Sequence, residues 1–280
     1  MLHLGHAVNA VYVWSIARAF GGSVVLRIED HDAGRSRAAY ADAILSDLAW
    51  LGLHGDNRAL DLPEPLRQLD DQRPYHAALA TLSAHGEVYA CRCSRRDIAE
   101  QSADTMRDEL RYPGTCRHAN VPLQSTSARR VLLAHDAVPF DDLRHGAQVH
   151  EPTAQCGDLL VRDRHGQWTY QFAVTVDDLR QSIDVVIRGD DLLSSTGRQI
   201  LLGAMLGRPS PVMTLHHPLI LRPDGAKLSK SAGDTGLAEL RAAGWSAADV
   251  LGHAAWLGGL QSAATPRGAS ALAALWTPSA

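Results

Sequence analysis

The segment His3-Leu4-Gly5-His6 stands directly before a stretch with helical apolar spacing and could bind phosphate. The first turn of a helix presents unpaired N–H groups and a positive partial charge, which attract anions. The two histidines add hydrogen-bond donors, and Gly5 has no side chain to keep a flat ring away from its backbone. A match of four residues also arises by chance, so this segment needs support from elsewhere in the chain.

A second candidate for phosphate binding is the sequence KLSKS at residues 227–231, which follows the turn signal RPDG. Lys227 and Lys230 are three positions apart in a segment that has little apolar character. A mobile cationic loop of this kind can clamp a polyphosphate as negative charge builds up in a transition state. The alternative is a solvated basic turn, which is the commoner fate of a lysine-rich pentamer.

Two charged residues near the ends of predicted strands could hold an amino acid. The apolar run 24–28 indicates a buried parallel strand, and Glu29 at its carboxyl end could accept an ammonium group. Arg188 follows another short predicted strand, and a guanidinium binds a carboxylate through a charge-assisted fork. The alternatives are a solvated acid and a surface ion pair of Arg188 with Asp190 or Asp191.

Three of the four cysteines, Cys91, Cys93 and Cys116, have spacings that fit a metal site. Thiolates at these positions could hold a tetrahedral Zn²⁺ that folds a small segment with little core of its own. General zinc chemistry would make His118 the fourth ligand, because Cys₃His sites are common. The alternative is three buried or free thiols. Cys156 stands apart and is interpreted as a structural thiol.

The composition limits the class of protein. The 280 residues are 45% hydrophobic and 21% charged, an ordinary globular profile. No apolar run is long enough for a transmembrane helix, and the N-terminus lacks the features of a signal peptide, so we expect a cytoplasmic protein with reduced thiols. The net charge of -4 means that a nucleic-acid partner has to be argued from a local basic patch.

Strand and helix patterns alternate along the chain, which indicates an α/β sheet. The stretch 91–128 departs from this alternation, because it is rich in cysteine and arginine and lacks apolar periodicity. The last residues, rich in alanine, serine and proline, are expected to fray. The periodicity predicts helices at 7–20, 37–51, 75–85, 196–206, 235–243 and 246–258, strands at 24–28, 185–187 and 215–221, and a hairpin formed by 158–164 and 167–176.

Together, the histidine segment and the lysine loop resemble the HIGH and KMSKS signature pair of the class I aminoacyl-tRNA synthetases. Other segments are similar to those of glutamyl- and glutaminyl-tRNA synthetases. They are RIEDHD at 27–32, YQFAVTVDD at 170–178, which looks like a strand of these enzymes, and VIRGDD at 186–191. The resemblance implies a Rossmann-type parallel sheet in two halves, 1–90 and 129–231, with a zinc-binding module inserted at 91–128 and a short helical tail at 232–280.

The same resemblance implies the roles of the individual residues. Glu29 would hold the ammonium group of glutamate, Tyr170 would hydrogen-bond the bound glutamate, and Arg188 would pair with a carboxylate of the substrate. The glutamate carboxylate would attack the α-phosphorus of ATP and release pyrophosphate, a step that depends on positioning and charge stabilisation. Mg²⁺ would accompany the nucleotide. The residues implied in ATP binding are His3, Gly5, His6, Lys227 and Lys230, and all of these except Gly5 would stabilise the phosphates.

The cysteine pattern resembles that of one family in particular. A Cys-x-Cys…Tyr-x₃-Cys arrangement, here with Tyr112 and Cys116, marks the glutamyl-queuosine tRNA(Asp) synthetases, and it implies Tyr112 rather than His118 as the fourth zinc ligand. Only residues 232–280 follow the lysine loop, which leaves no room for a large anticodon-binding region. The resemblance therefore implies transfer of glutamate to queuosine in the anticodon loop of tRNA(Asp), by a protein expected to be a monomer.

A basic cluster surrounds the predicted zinc module and could contact RNA phosphates. Three other functions stay open: an RNA-binding protein without catalysis, a glutamate-activating enzyme with another acceptor, and a ligase for glutamine or another amino acid. Arg188 argues against the last, because arginine prefers a carboxylate to an amide. The arginines of the cluster are Arg92, Arg95, Arg96, Arg107, Arg111 and Arg117; exposed arginines on a solvated loop are the alternative.

The start of the chain departs from the family pattern. The family has a segment like RFAPSPTG before the HIGH motif, which forms the first strand and supplies an arginine and a serine for glutamate, and the sequence here starts at Met1. Without that strand, the sheet would have an unpaired edge. We therefore expect weak activity or poor folding, and we expect an upstream extension to raise glutamate activation.

Overall fold

The computed structural model describes residues 2–31, 38–101, 109–124, 126–134, 137–221 and 235–276. The lysine loop with Lys227 and Lys230 lies outside the described residues, and so does Arg107. The helices are α1 Leu4–Ala19, α2 Ala38–Trp50, α3 Arg73–Ala84, α4 Arg95–Gln101, α5 Pro152–Gln155, α6 Tyr170–Arg180, α7 Thr196–Met205, α8 Leu237–Ala242 and α9 Ala247–Leu257, with 3₁₀ helices at Asn57–Leu60, Asp190–Ser195 and Ala269–Leu275.

Three sheets organise the described chain. The largest has four strands in the order β6-β5-β9-β8, in which β8, β9 and β5 are parallel and β6 is antiparallel. A parallel pair, β1-β2, and an antiparallel sheet, β3-β4-β7, complete the set. The strands are β1 Arg27–Ile28, β2 Leu66–Arg67, β3 Val88–Cys91, β4 Ala128–Val131, β5 Val138–Asp142, β6 Gly146–His150, β7 Leu159–Arg162, β8 Val185–Gly189 and β9 Met213–His217. The fold is α/β with a parallel sheet, as the sequence predicts.

The central helix α1 starts at a cap made by the histidine segment. The Nδ1 atom of His3 accepts a hydrogen bond from the backbone N–H of Gly5, at 3.1 Å. The Nδ1 atom of His6 accepts from the backbone N–H of His3, at 3.2 Å. These two bonds satisfy donors that a helix start otherwise leaves unpaired. At the other end the helix stops before Gly21, whose φ of 69° suits glycine.

Helix α1 is buried on most of its surface because helices and a sheet pack around it. It contacts α9, strand β8 and the 3₁₀ helix Ala269–Leu275. Leu272 in that 3₁₀ helix is fully buried, and the indole N–H of Trp276 donates to the Ser15 hydroxyl on α1 at 2.7 Å. The expected fraying is therefore wrong for residues 269–276, because their apolar side chains complete the core around α1.

The predicted hairpin at 158–176 is also wrong in its second half. Strand β7 ends at Arg162, a single bridge joins Arg162 to Trp168, and residues 170–180 form helix α6. Six consecutive residues of α6 are buried, from Phe172 to Asp177, because α3 and α7 pack against it. Burial on every side removes the helical apolar period, and the β-branched residues then favour a strand interpretation.

Two strands have different bounds from those predicted. Strand β1 is shorter than 24–28, because the residue before it bonds to the start of a 3₁₀ helix instead: Leu26 N–H donates to the side chain of Asn57 at 2.8 Å. Strand β9 begins earlier than predicted and ends at His217, before Pro218. No helix in the described ranges combines the length and the apolar character needed to span a bilayer.

Candidate functional site

A cleft of about 1400 Å³ lies between the start of α1, the segment around β1 and the edge of β8. Its position follows from the fold, because the carboxyl ends of β1 and β8 and the first turn of α1 all open into it. The cleft brings together every described residue that the sequence predicts for the nucleotide and glutamate sites. These residues are His3, Gly5, His6, Glu29, Tyr170 and Arg188.

The histidine end of the cleft is arranged for an anion. Because both Nδ1 atoms accept backbone hydrogen bonds, a neutral His3 or His6 carries its proton on Nε2, where it can act as a donor. The two rings are 3.9 Å apart between centroids. A Cβ atom on Gly5 would stand 2.9 Å from the His3 ring, so a side chain at this position would displace the ring from its capping contact.

The chain that follows the lysine loop returns to this end of the cleft. Gly236 forms a β-bridge with His3, and the Leu237 N–H donates to the carbonyl of Leu2 at 2.9 Å. The amino end of α1 and the chain just beyond the lysine loop are therefore neighbours, although they are more than 200 residues apart.

Arg188 lines the same cleft and is buried, with 7% of its surface exposed. Its Nε–H donates to His216 Nε2 at 3.0 Å, and its terminal nitrogens donate to Gln199 Oε1 at 2.6 Å and Thr196 Oγ1 at 2.8 Å. The Tyr170 side chain lines the same cleft and interacts electrostatically with Arg188. Burial lowers the pKa of Arg188, since none of these partners carries a formal negative charge when the tyrosine is protonated.

The surface ion pair considered for Arg188 is not formed. Asp190 pairs instead with Arg144 at 3.0 Å and with His145 at 2.7 Å. Tyr170 also lines the cleft. Its pKa is raised to about 12, mainly by burial and to a smaller extent by the negative charge of Glu29. Tyr170 therefore stays protonated at neutral pH and can donate a hydrogen bond.

Glu29 has a partner that the sequence reasoning missed. Its carboxylate accepts from the Arg27 guanidinium at 2.9 Å, and Arg27 also contacts Asp178 at 3.0 Å. Burial by itself would lower the pKa of Arg27. The attraction of its cation to the carboxylates of Asp178, Glu29 and Asp177 is stronger than this effect, so the pKa of Arg27 is raised. The cleft thus contains one arginine already paired with carboxylates, Arg27, and one without such a contact, Arg188.

The three predicted metal-ligand cysteines meet in one cluster. The sulfurs of Cys91, Cys93 and Cys116 lie within 4.8 Å of one another, and Cys93 Sγ is 3.5 Å from Cys116 Sγ. The Tyr112 hydroxyl is 3.6 Å from Cys91 Sγ and accepts the backbone N–H of Cys116 at 2.8 Å. His118 is exposed and does not belong to this cluster. Three soft sulfurs and a phenol form a donor set that fits Zn²⁺.

A buried arginine stands against this cluster. The Arg130 guanidinium lies 3.7 Å from the centre of the Tyr112 ring, and its Nε–H donates to Cys91 Sγ at 3.4 Å. Three thiolates around a divalent cation leave a net negative charge, which Arg130 would partly offset. Neighbouring Cys156 is a separate buried thiol whose pKa is raised to about 11 by burial.

The predicted basic cluster is partly neutralised within the chain. Arg117 pairs with Asp158 at 2.6 Å, and Arg96 pairs with Glu100 at 2.8 Å. Arg111 donates to the carbonyl of Thr153 at 2.9 Å. These contacts show that several of the arginines also serve to hold the insert together.

Comparisons with known proteins show the family to which the chain belongs. The catalytic-domain family of class I tRNA synthetases (E and Q) matches residues 1–251. The glutamyl-Q tRNA(Asp) synthetase of Symbiobacterium thermophilum is 43% identical over 92% of the chain and 83% of that protein. The protein of the same name from Geobacter sulfurreducens is 41% identical over 82% of the chain and 71% of that protein.

Solved structures give the same picture for the fold. A glutamate tRNA ligase from Elizabethkingia meningosepticum, in complex with its amino acid, superposes with a TM-score of 0.69 and 26% identity over 83% of the chain. The chain spans about half the length of that ligase, 50%. The chain therefore belongs to the class I tRNA synthetases of the E and Q type, within the family of ligases that the glutamyl-Q tRNA(Asp) synthetases represent.

Proposed function

We propose that the chain activates glutamate with ATP to form glutamyl-adenylate and pyrophosphate, and then transfers glutamate to queuosine in the anticodon loop of tRNA(Asp). The observation that carries the first step is the cleft itself. It is lined both by a helix start with two histidines and by a buried arginine that has no carboxylate partner among the described residues. The helix start suits a triphosphate, and the arginine suits a carboxylate.

In this proposal Arg188 binds the side-chain carboxylate of glutamate and Tyr170 donates a hydrogen bond to the substrate. Glu29 receives the ammonium group, and its existing bond to Arg27 fixes the direction of its carboxylate. The free carboxylate of glutamate then attacks the α-phosphorus of ATP, and the bond to pyrophosphate breaks. No protein nucleophile takes part, so the rate comes from positioning and charge stabilisation.

The phosphate end of the cleft would stabilise the leaving pyrophosphate. His3 and His6 donate from Nε2, and the N–H groups of the first turn of α1 add further donors. Mg²⁺ enters with the nucleotide and neutralises phosphate charge. Lys227 and Lys230 complete the set in the proposal, and the contact between Gly236 and His3 supports their approach to the same end of the cleft.

The second step is proposed from the names of the relatives and from the cysteine cluster. A hydroxyl of queuosine attacks the carbonyl carbon of glutamyl-adenylate, and AMP leaves. Zn²⁺ would be held by Cys91, Cys93, Cys116 and Tyr112, where it would supply rigidity to the insert rather than chemistry.

Exchange of labelled pyrophosphate into ATP tests the activation step. We expect exchange that depends on glutamate and needs no tRNA, with glutamine a poor substitute because Arg188 favours a charged carboxylate. Absence of exchange, with tRNA binding retained, would favour the RNA-binding alternative. Efficient exchange with glutamine would contradict the assignment of Arg188.

A further inference from the structure

The sheet brings three side chains from adjacent strands into one buried row. Asp142 ends β5, His216 lies near the end of β9, and Arg188 lies near the end of β8, in the strand order β5-β9-β8. Asp142 Oδ2 is 2.6 Å from His216 Nδ1, and His216 Nε2 is 3.0 Å from Arg188 Nε. His216 is fully buried and Asp142 is 2% exposed.

From this row we infer that Asp142 and His216 are positioning residues, which fix the Arg188 guanidinium in the direction that receives the substrate carboxylate. The inference rests on the proposed function. Neither residue lines the cleft, so both act through Arg188.

The hydrogen bonds determine the tautomer of His216. A carboxylate only accepts, so the proton between Asp142 and His216 belongs to Nδ1. Nε2 then carries a lone pair that accepts the Nε–H of Arg188. A proton on Nε2 would face the Nε–H of Arg188, and two donors cannot form a hydrogen bond with each other. Burial and the charge of Arg188 also lower the pKa of His216, although the hydrogen bond to Asp142 acts in the opposite direction.

Asp142 is itself held firmly. Its Oδ1 atom accepts the backbone N–H groups of Arg144 at 3.1 Å and His145 at 3.0 Å. These bonds, with the bond to His216, lower the pKa of Asp142 to about 2 against the effect of burial. The carboxylate is therefore a fixed negative charge at neutral pH.

A neutral histidine between the two charges has a functional consequence. The charge of Asp142 reaches Arg188 only through His216, and among the described residues no carboxylate forms a hydrogen bond or an ion pair with the Arg188 guanidinium. Arg27 in the same cleft shows the contrast, because Glu29 and Asp178 already bind it. A substrate carboxylate can thus bind Arg188 without displacing an internal anion, which favours glutamate over its amide.

Steady-state pyrophosphate exchange with three variants of the full chain tests the inference. Asp142→Asn and His216→Leu should each raise KM for glutamate at least about tenfold, while KM for ATP stays within about twofold, because a charge-assisted contact is lost at one end of the cleft only. His216→Gln should restore KM for glutamate to within about threefold of the wild type, since its amide oxygen can accept from Arg188. His253→Gln, on α9 outside the cleft, is the matched histidine control and should change neither constant.

Nitrogen-15 NMR of the histidine rings gives a readout that does not need activity. The wild type should show the Nδ1–H tautomer for His216 at neutral pH, and Asp142→Asn should shift this signal. A protonated ring, or the Nε2–H tautomer, would overturn the inference whether or not the chain activates glutamate. Equal changes in both KM values, or none, in a wild type that does exchange would also overturn it. A wild type without glutamate-dependent exchange would contradict the proposed function instead.

Discussion

Replacement of Tyr112 by phenylalanine removes the hydroxyl group and keeps the aromatic ring. The ring that lies under the Arg130 guanidinium is kept, and the hydroxyl 3.6 Å from Cys91 Sγ is removed. If that hydroxyl is the fourth zinc ligand, Tyr112→Phe should weaken Zn²⁺ binding strongly. His118→Ala is the matched control, because His118 is exposed and lies outside the sulfur cluster.

The expected magnitude follows from the donor set. Structural zinc sites with four ligands bind with about 10–16 kcal/mol at neutral pH, so one ligand of four accounts for roughly 2.5–4 kcal/mol. Since about 1.4 kcal/mol is a factor of ten, Tyr112→Phe should lower Zn²⁺ affinity roughly 10²- to 10³-fold. His118→Ala should change it less than about threefold, because it removes no neighbour of the sulfurs.

Competition with a chromophoric chelator at fixed pH measures these affinities. Cobalt substitution adds a second readout, because the visible bands of a tetrahedral site should weaken in Tyr112→Phe and persist in His118→Ala. The reasoning is refuted if His118→Ala weakens metal binding more than Tyr112→Phe does. It is also refuted if both variants bind Zn²⁺ as tightly as the wild type.

Two further predictions use other contacts of the described residues. Arg188→Met removes a charge-assisted pair of hydrogen bonds worth about 3 kcal/mol, so KM for glutamate in pyrophosphate exchange should rise about 10²-fold. Arg58 is exposed, and Arg58→Met should leave KM unchanged. Equal rises in KM for the two variants would contradict this role of Arg188. Leu272→Ala should lower the free energy of unfolding in urea by about 2–5 kcal/mol, because Leu272 is fully buried. Leu123 is exposed, and Leu123→Ala should change this free energy little. A small effect of Leu272→Ala would contradict the tight packing of the last 3₁₀ helix.

The sequence predicts best where a local signal stands alone. The glycine stop of α1 and the strand before Arg188 are visible as short motifs with the right flanking residues, whereas α1 begins at Leu4, earlier than the predicted residue 7. Helix α6 is missed because it is buried on all sides, so its pattern lacks the polar face that reveals a helical period. The 3₁₀ helix at the end of the chain is missed because its composition is that of a tail.

The motif residues of the candidate site are recognisable in the sequence, whereas the side chains that contact them are not. His3, His6 and Arg188 stand in recognisable segments, whereas Asp142 and His216 meet from strands 74 positions apart. The contact of Arg27 with Asp178 likewise joins residues 151 positions apart. No periodicity or spacing encodes such contacts, because they come from the order of strands in the sheet and the fold of the chain around it.

Transfer of labelled glutamate to tRNA(Asp) measures the central claim most directly. The chain, ATP and labelled glutamate are incubated with two tRNA(Asp) preparations that differ only in whether they contain queuosine. We predict that label becomes bound to the queuosine-containing tRNA and not to the queuosine-free tRNA. Equal labelling of both, or labelling of neither while pyrophosphate exchange proceeds, would contradict the proposed acceptor.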